Sequence, residues 1–199
     1  MKVLLVDLDE NGSAGGSLRW AAMAQMAGRS PAFTVSPAMP RHVQDWDLVV
    51  VDHPPGVRKL PEGQVIIPTT MDPGTYFSAL RTLKGLKSHR TKPLMVANRC
   101  RTDRAEVRRL IQEIPNCIVL KDRAIYPSSF GQGVTIWDDV GLLHADSARG
   151  EFTPLLDAVL ATGCRMVHVV NTKGGVGRTT LSLNLAGGAA ARQQKQEAA

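Results

Sequence analysis

Short, almost uninterrupted apolar runs recur along this 199-residue chain, with helical stretches between them. "KVLLVDLD", "DLVVVDHPPG", "QVIIPTT", "KPLMVANR", "CIVLKD" and "RMVHVVN" are rich in Val, Leu and Ile. Runs of this length without polar alternation suit strands that are buried on both faces. "SLRWAAMAQMAG", "DPGTYFSALRTLKGLKSH", "RTDRAEVRRLIQEI", "GEFTPLLDAVLATG" (ending at Gly163) and "RTTLSLNLAGGAAARQQK" read as helices. Asp72 is placed to cap the second helix, with Pro73 at its first position. Strands alternating with helices predict an α/β fold, a parallel twisted sheet flanked by helices on both faces. The length fits a single domain, residues 1–199, with a sizeable core.

In such sheets ligands sit at the carboxyl ends of strands. Three of those ends carry chemistry: "VDLDENG", "VVDHPPG" and "VNTKGGVGRTT". In the last, Gly174, Gly175 and Gly177 permit backbone angles that turn consecutive N–H groups toward phosphate oxygens. The helix that follows offers its positive N-terminal end. Thr179 is placed to ligate Mg²⁺ through its hydroxyl, and Thr180 is the next hydroxyl along. The bland alternative is a flexible glycine-rich turn. Asp52, closing an apolar strand, suits Mg²⁺ directly or through water. Asp7 and Asp9 suit either the same site or an Asx-type turn at a strand end. His53, beside Asp52, is open to a catalytic reading.

No apolar run approaches the ~18 residues of a membrane span. The start, "MKVLLVDLDE", is broken by Asp7 and does not read as a signal peptide. The three cysteines, Cys100, Cys117 and Cys164, have no metal-like spacing, and idle thiols in a reducing cytoplasm are expected. Of the net charge of +6, the segment from Arg81 to Arg123 holds a disproportionate share, with twelve Lys or Arg against four acids. That segment fits either a polyanionic partner or solvated helix faces. No aromatic interleaving accompanies it, and Trp20, Trp46 and Trp137 are expected in packing roles.

The stretch Lys173-Gly174-Gly175-Val176-Gly177-Arg178-Thr179-Thr180 resembles the deviant Walker A loop, KGGxGK[ST], of the ParA/MinD family of P-loop ATPases. "VLLVDLDENGSAG" resembles that family's second strand and switch I, and "DLVVVDHPPG" its Walker B strand and switch II. "VIIPTTMDPGTYFSAL", "MVANR" and "DRAIYPSSFGQGVTIWD" resemble later segments in turn. The pieces stand in permuted order. Placing residues 166–195 ahead of residue 1 restores the family's arrangement. On that reading 1–162 run from switch I to the last helix, 163–165 form a linker, 166–195 hold the permuted loop strand and helix, and 196–199 are a tail. The strand before the loop is then expected in the middle of the sheet.

The resemblance implies ATP and Mg²⁺ as cofactors. It implies Gly174, Gly175, Val176, Gly177, Arg178, Thr179 and Thr180 around the phosphates, and Asn98 and Arg99 facing the adenine. Thr179, Asp52 and Asp9 would hold the metal. Asp9 would orient the attacking water, and Lys173 would reach a partner's nucleotide across a homodimer. It further implies non-specific DNA binding, for which Arg81, Lys84, Lys87, Arg101, Arg104, Arg108, Lys121 and Arg123 are candidates. A ParB-like partner protein, a cytoplasmic, nucleoid-associated location and a role in plasmid or chromosome partition follow from the same resemblance. A relative that positions other cargo or assists conjugative transfer, and a nucleotide-binding scaffold with little turnover, are the alternatives.

Three departures matter. Arg178 replaces the lysine that touches the β- and γ-phosphates, a planar fork in place of a point charge. "DENG" replaces D-P-Q-G. The segment "VRKLPEGQ" leaves no room for the helix usual before "VIIP". Binding that survives while hydrolysis suffers is the expected consequence.

Overall fold

The computed structural model describes residues 1–9, 16–56, 62–86 and 92–197. Its strands are β1 (Val3–Asp7), β2 (Thr34–Ser36), β3 (Leu48–Asp52), β4 (Gln64–Thr69), β5 (Leu94–Cys100), β6 (Ile118–Lys121) and β7 (Met166–Val169). They form one seven-stranded sheet in the order β2-β1-β3-β7-β4-β5-β6. Every pairing is parallel. The expected α/β class and buried-strand runs agree with this. β1 and β3 are buried at every residue, as a sheet covered on both faces requires.

The helices are α1 (Ser17–Met26), α2 (Pro73–Gly85), α3 (Ala105–Gln112), α4 (Ile125–Gly131), α5 (Ala145–Leu160) and α6 (Arg178–Glu197). Alternate strand residues face opposite layers. Leu5, Val50, Ile66, Val96 and Val167 pack with Trp20, Phe152, Leu155, Leu181 and Leu185 of α1, α5 and α6. Val65, Ile67 and Met95 pack with Tyr76 and Ala79 of α2 and Val107 of α3. A third apolar cluster, Leu4, Val6, Val49 and Val51, meets Val43 and Trp46.

Several boundaries differ from expectation. β2 has three residues at the sheet edge, too few for any period to show in the sequence. α4 carries Pro127 and ends on Gly131, both of which disguise it. α5 starts at Ala145 rather than Gly150, and contains both Gly150 and Pro154. α3 starts at Ala105, so Arg101 and Arg104 precede the helix on which they were expected. Asp72 caps α2 as expected, its carboxylate accepting from the Thr75 amide at 3.0 Å, with Pro73 at the first position. Of the tryptophans, Trp20 is fully buried and stacks on Phe33, Trp137 meets Phe152 edge to face, and Trp46 carries Lys2 over its ring.

β7, last in sequence, lies between β3 and β4 near the centre of the sheet. α6 leaves its carboxyl end and packs back over β3, β1 and β7. The register pairs Asp7 with Asp52 and Asp52 with Val169. Three strands therefore stop level, and their exits share one edge of the sheet.

Candidate functional site

The glycine-rich loop runs from Asn171 to Gly177, between the end of β7 and the first residue of α6. Two of its glycines are required by the backbone. Gly175 has φ +77° and Gly177 φ +79°, the left-handed region that a side chain disfavours. A Cβ on Gly177 would also stand 2.5 Å from the Asn98 amide nitrogen. That nitrogen donates to the Val176 carbonyl at 2.8 Å. Asn98 was expected to face a base. Its amide engages the loop backbone, and the residue borders a cavity there.

A residue not singled out in the sequence organises the loop from the other side. Asn171 is buried, and its amide donates to the Pro68 carbonyl at 2.6 Å. Its side-chain oxygen accepts from Ser78 and from the Lys173 amide, each at 3.0 Å. Its main-chain oxygen accepts from Arg178 at 3.3 Å. One side chain thus ties β7, β4, α2 and the loop together. The only signal for it in the sequence is an Asn at the strand-to-loop junction.

Arg178 is buried at 8% exposure. Its guanidinium forms an ion pair with Asp9 at 3.6 Å in addition to its bond to Asn171. The charge expected at the phosphates is therefore held by the residue expected to orient water. Lys173 lies over the start of α2, where a Cβ on Gly74 would meet its Nζ at 2.7 Å. Burial works to raise the Asp72 pKa, but hydrogen bonds from Thr70 and Thr75, together with Lys173, bring it down to about 2. Asp7 makes the Asx-type turn: it accepts from the Asp9 amide and from the Leu18 amide in the first turn of α1, each at 3.2 Å.

Asp52 is 1% exposed, and its Oδ2 has no hydrogen-bond partner among the described residues. Burial pushes its pKa up to about 7, against the opposing pull of a Thr179 hydrogen bond and the Arg178 charge. An orphaned carboxylate oxygen beside a threonine hydroxyl is a hard-oxygen donor set that fits Mg²⁺, a cation usually held by one or two protein ligands plus phosphates and waters. Asp9, expected in the same set, is paired with Arg178. Among the described residues no group of three or more His, Cys, Asp or Glu could by itself hold a metal ion.

Two openings flank the loop. One, of about 400 Å³, is bordered by Asn98, Arg99, Tyr126, Phe130, Thr179 and Thr180. Tyr126 is buried and its hydroxyl has no hydrogen-bond partner among the described residues. The other, of about 430 Å³, is bordered by Asp72, Arg99, Arg101, Arg104 and Gly175. Arg99 and Asp122 border both. Arg99 has φ +53° where the pairing of β5 with β6 slips, and its exposed side chain reaches Asp122 at 3.6 Å.

The basic residues divide. Arg81, Lys84 and Arg104 are exposed. Arg101 pairs with Asp103 at 3.1 Å, and Arg108 donates to the Thr102 and Asp103 carbonyls at 2.8 Å. Arg123 makes a two-pronged contact with Glu151, at 2.9 and 2.6 Å, and Lys121 reaches the same carboxylate at 3.3 Å. Lys87 lies outside the described residues, as do residues 10–15 and 57–61 of the two switch-like segments. All three cysteines are free thiols, and burial pushes Cys100 up to about 12. No helix among the described residues is long and apolar enough to cross a membrane.

Compared with known proteins, the chain matches no family model and no curated protein.

Proposed function

We propose that this chain is a ParA-like deviant Walker ATPase in permuted order, which binds ATP and Mg²⁺ at the Lys173–Thr180 loop. The observation that carries the reading is the placement of that loop. It leaves a central parallel strand, opens a long helix, and lies beside an aspartate with a buried oxygen that has no partner among the described residues. The loop amides and the α6 N-terminus receive phosphate oxygens, and the cavity at Tyr126 and Phe130 receives the base. Asp52 and Thr179 hold the cation, which when bound neutralises phosphate charge. Asp9 orients water once Arg178 has turned to the phosphates. Further from the site, the proposal extends to a nucleotide-dependent homodimer with Lys173 at its seam. It also includes non-specific DNA binding through the exposed arginines and lysines, and a ParB-like partner in plasmid or chromosome partition.

One observation favours the second reading, a nucleotide-binding scaffold with little turnover. Arg178 is committed to Asp9 and Asn171 rather than to the loop interior. Both readings predict that ATP–Mg²⁺ raises the melting temperature. Turnover with and without DNA, measured beside Arg178→Lys, separates them. Hydrolysis by either protein supports the ATPase. Binding without hydrolysis in both leaves the scaffold, and no thermal shift at millimolar nucleotide refutes the nucleotide site altogether.

A further inference from the structure

Two buried histidines face each other in the middle of the sheet, and the site described above uses neither. His168 is the third residue of β7 and is fully buried. His53 follows Asp52 directly and is 6% exposed. Their rings meet at 2.9 Å, His53 Nε2 to His168 Nδ1. The other nitrogen of His168 lies 3.4 Å from the main-chain oxygen of Glu62. A carbonyl can only accept, so the His168 proton sits on Nε2, and Nδ1 accepts from His53 Nε2–H. Gly63 leaves room for this arrangement, since a Cβ there would stand 3.0 Å from His168 Nε2 and 2.7 Å from the Met166 carbonyl. One ring on the central strand therefore holds the chain where it leaves β3 and again where it enters β4.

The first of those contacts acts next to Asp52. The His53 amide donates to the Val169 carbonyl at 3.2 Å, and the Leu8 amide donates to the Asp52 carbonyl at 3.0 Å. With the His53 ring also fixed, the backbone on both sides of the Asp52 side chain is pinned to its neighbours. Thr179 holds one side of the Asp52 carboxylate, and Oδ2 has no partner among the described residues, so the backbone that carries the side chain bears on where that oxygen points. The histidine pair supplies that direction through the backbone.

We propose that His168 is a positioning residue for the divalent cation: through His53 it aims the Asp52 carboxylate at the metal position beside Thr179. This rests on the ATP–Mg²⁺ reading of the loop. Partners of this kind change metal affinity by about 10–100-fold when removed. The ring nitrogens have different mimics, which makes the idea sharp. An asparagine can place its oxygen where Nδ1 lies and keep the bond to His53. A glutamine reaches only the Nε2 position and keeps the bond to Glu62.

The test titrates Mn²⁺, read by electron paramagnetic resonance, into full-length protein saturated with ADP. ADP binding without metal, in EDTA, is measured alongside. His168→Leu and His168→Gln are expected to weaken Mn²⁺ binding about 10–100-fold. His168→Asn is expected to stay within about threefold of wild type, and all three to bind metal-free ADP alike within about twofold. A general loss of folding would lower ADP affinity in parallel and would not spare Asn. His53→Leu gives a second route, expected to match His168→Leu, whereas His53→Gln keeps a donor at the Nε2 position and is expected to stay near wild type. Unchanged Mn²⁺ affinity in His168→Leu overturns the positioning role, as does equal loss in Asn and Gln. Wild-type protein that binds ADP but no Mn²⁺ refutes the metal site itself, and protein that binds no ADP refutes the nucleotide reading on which both stand.

Discussion

The neighbours Asp52 and His53 titrate in opposite senses, and stability against pH should expose it. Burial first, then the nearby charges of Asp7 and Asp9, raise Asp52 from 3.8 to about 7, against the pull of Thr179 and Arg178. Burial first, then His168 and Arg178, lower His53 from 6.5 to about 4. The folded protein thus binds the Asp52 proton more tightly than the unfolded chain does. That contribution is complete below the unfolded pKa and is lost as pH rises through about 7. For His53 the folded protein binds the proton less tightly. Its contribution is complete above 6.5 and is lost as pH falls through about 4. At 1.36 kcal/mol per unit, the shifts correspond to about 4 kcal/mol for Asp52 and about 3 kcal/mol for His53. Between roughly pH 4.5 and 6.5 the slopes are equal and opposite, so wild type should be nearly flat. Urea denaturation without nucleotide, in EDTA so that no cation competes for Asp52, measures this. Asp52→Asn removes one slope, and its stability should rise with pH by about 1.4 kcal/mol per unit across that window. His53→Gln removes the other, and its stability should fall at a similar rate. If both variants run parallel to wild type, the opposed titration is wrong.

Asp9→Asn opens the ion pair to Arg178, so in EDTA it should bind nucleotide about 3–10-fold more tightly by calorimetry; equal or weaker binding refutes the pairing as a competitor of phosphate. Gly177→Ala places a Cβ at φ +79° and 2.5 Å from Asn98, and should cost about 1–3 kcal/mol in a denaturant melt. Gly174→Ala, with nothing within 4 Å among the described residues, serves as its control and should stay within about 0.5 kcal/mol. If the exposed cations contact DNA phosphates, Arg104→Ala should lower the salt slope of DNA binding by about 0.9. Arg123→Ala, already held by Glu151, should leave the slope unchanged and instead reduce stability.

The strands were legible because burial on both faces leaves an apolar run with no alternation, as in "LVVV" of β3. Asp52 was legible because a carboxylate that ends such a run must face the sheet's carboxyl edge. β2 and α4 were not: three residues carry no period, and a proline with a terminal glycine imitates a loop. Side-chain direction was the least legible property. Arg178 belongs to the loop in sequence, yet where its fork points depends on Asp9, which enters from another strand. Asn171 and His168 owe much of their roles to Pro68, Ser78, His53 and Glu62, residues 93 to 115 positions away in the contacts they make. No local pattern encodes a partner at that distance.

The same separation links the site to the assembly of the sheet. β3 and β4 each pair with β7, and it stands between them. The His53 amide is satisfied by the Val169 carbonyl, and the Val170 amide by the Ile66 carbonyl. Without β7 in place these backbone groups lose their partners, Asp52 loses its neighbour in register, and the loop has no anchor at Pro68. The site is therefore absent from any state in which the central strand is unpaired, and a ligand of the loop stabilises the closed sheet as a whole. Bound phosphate and the central pairing report on each other, so a nucleotide that protects the Val169 and Val170 amides from hydrogen exchange should protect β3 and β4 by the same factor. Protection confined to the loop would show instead that the loop orders by itself on a sheet already closed.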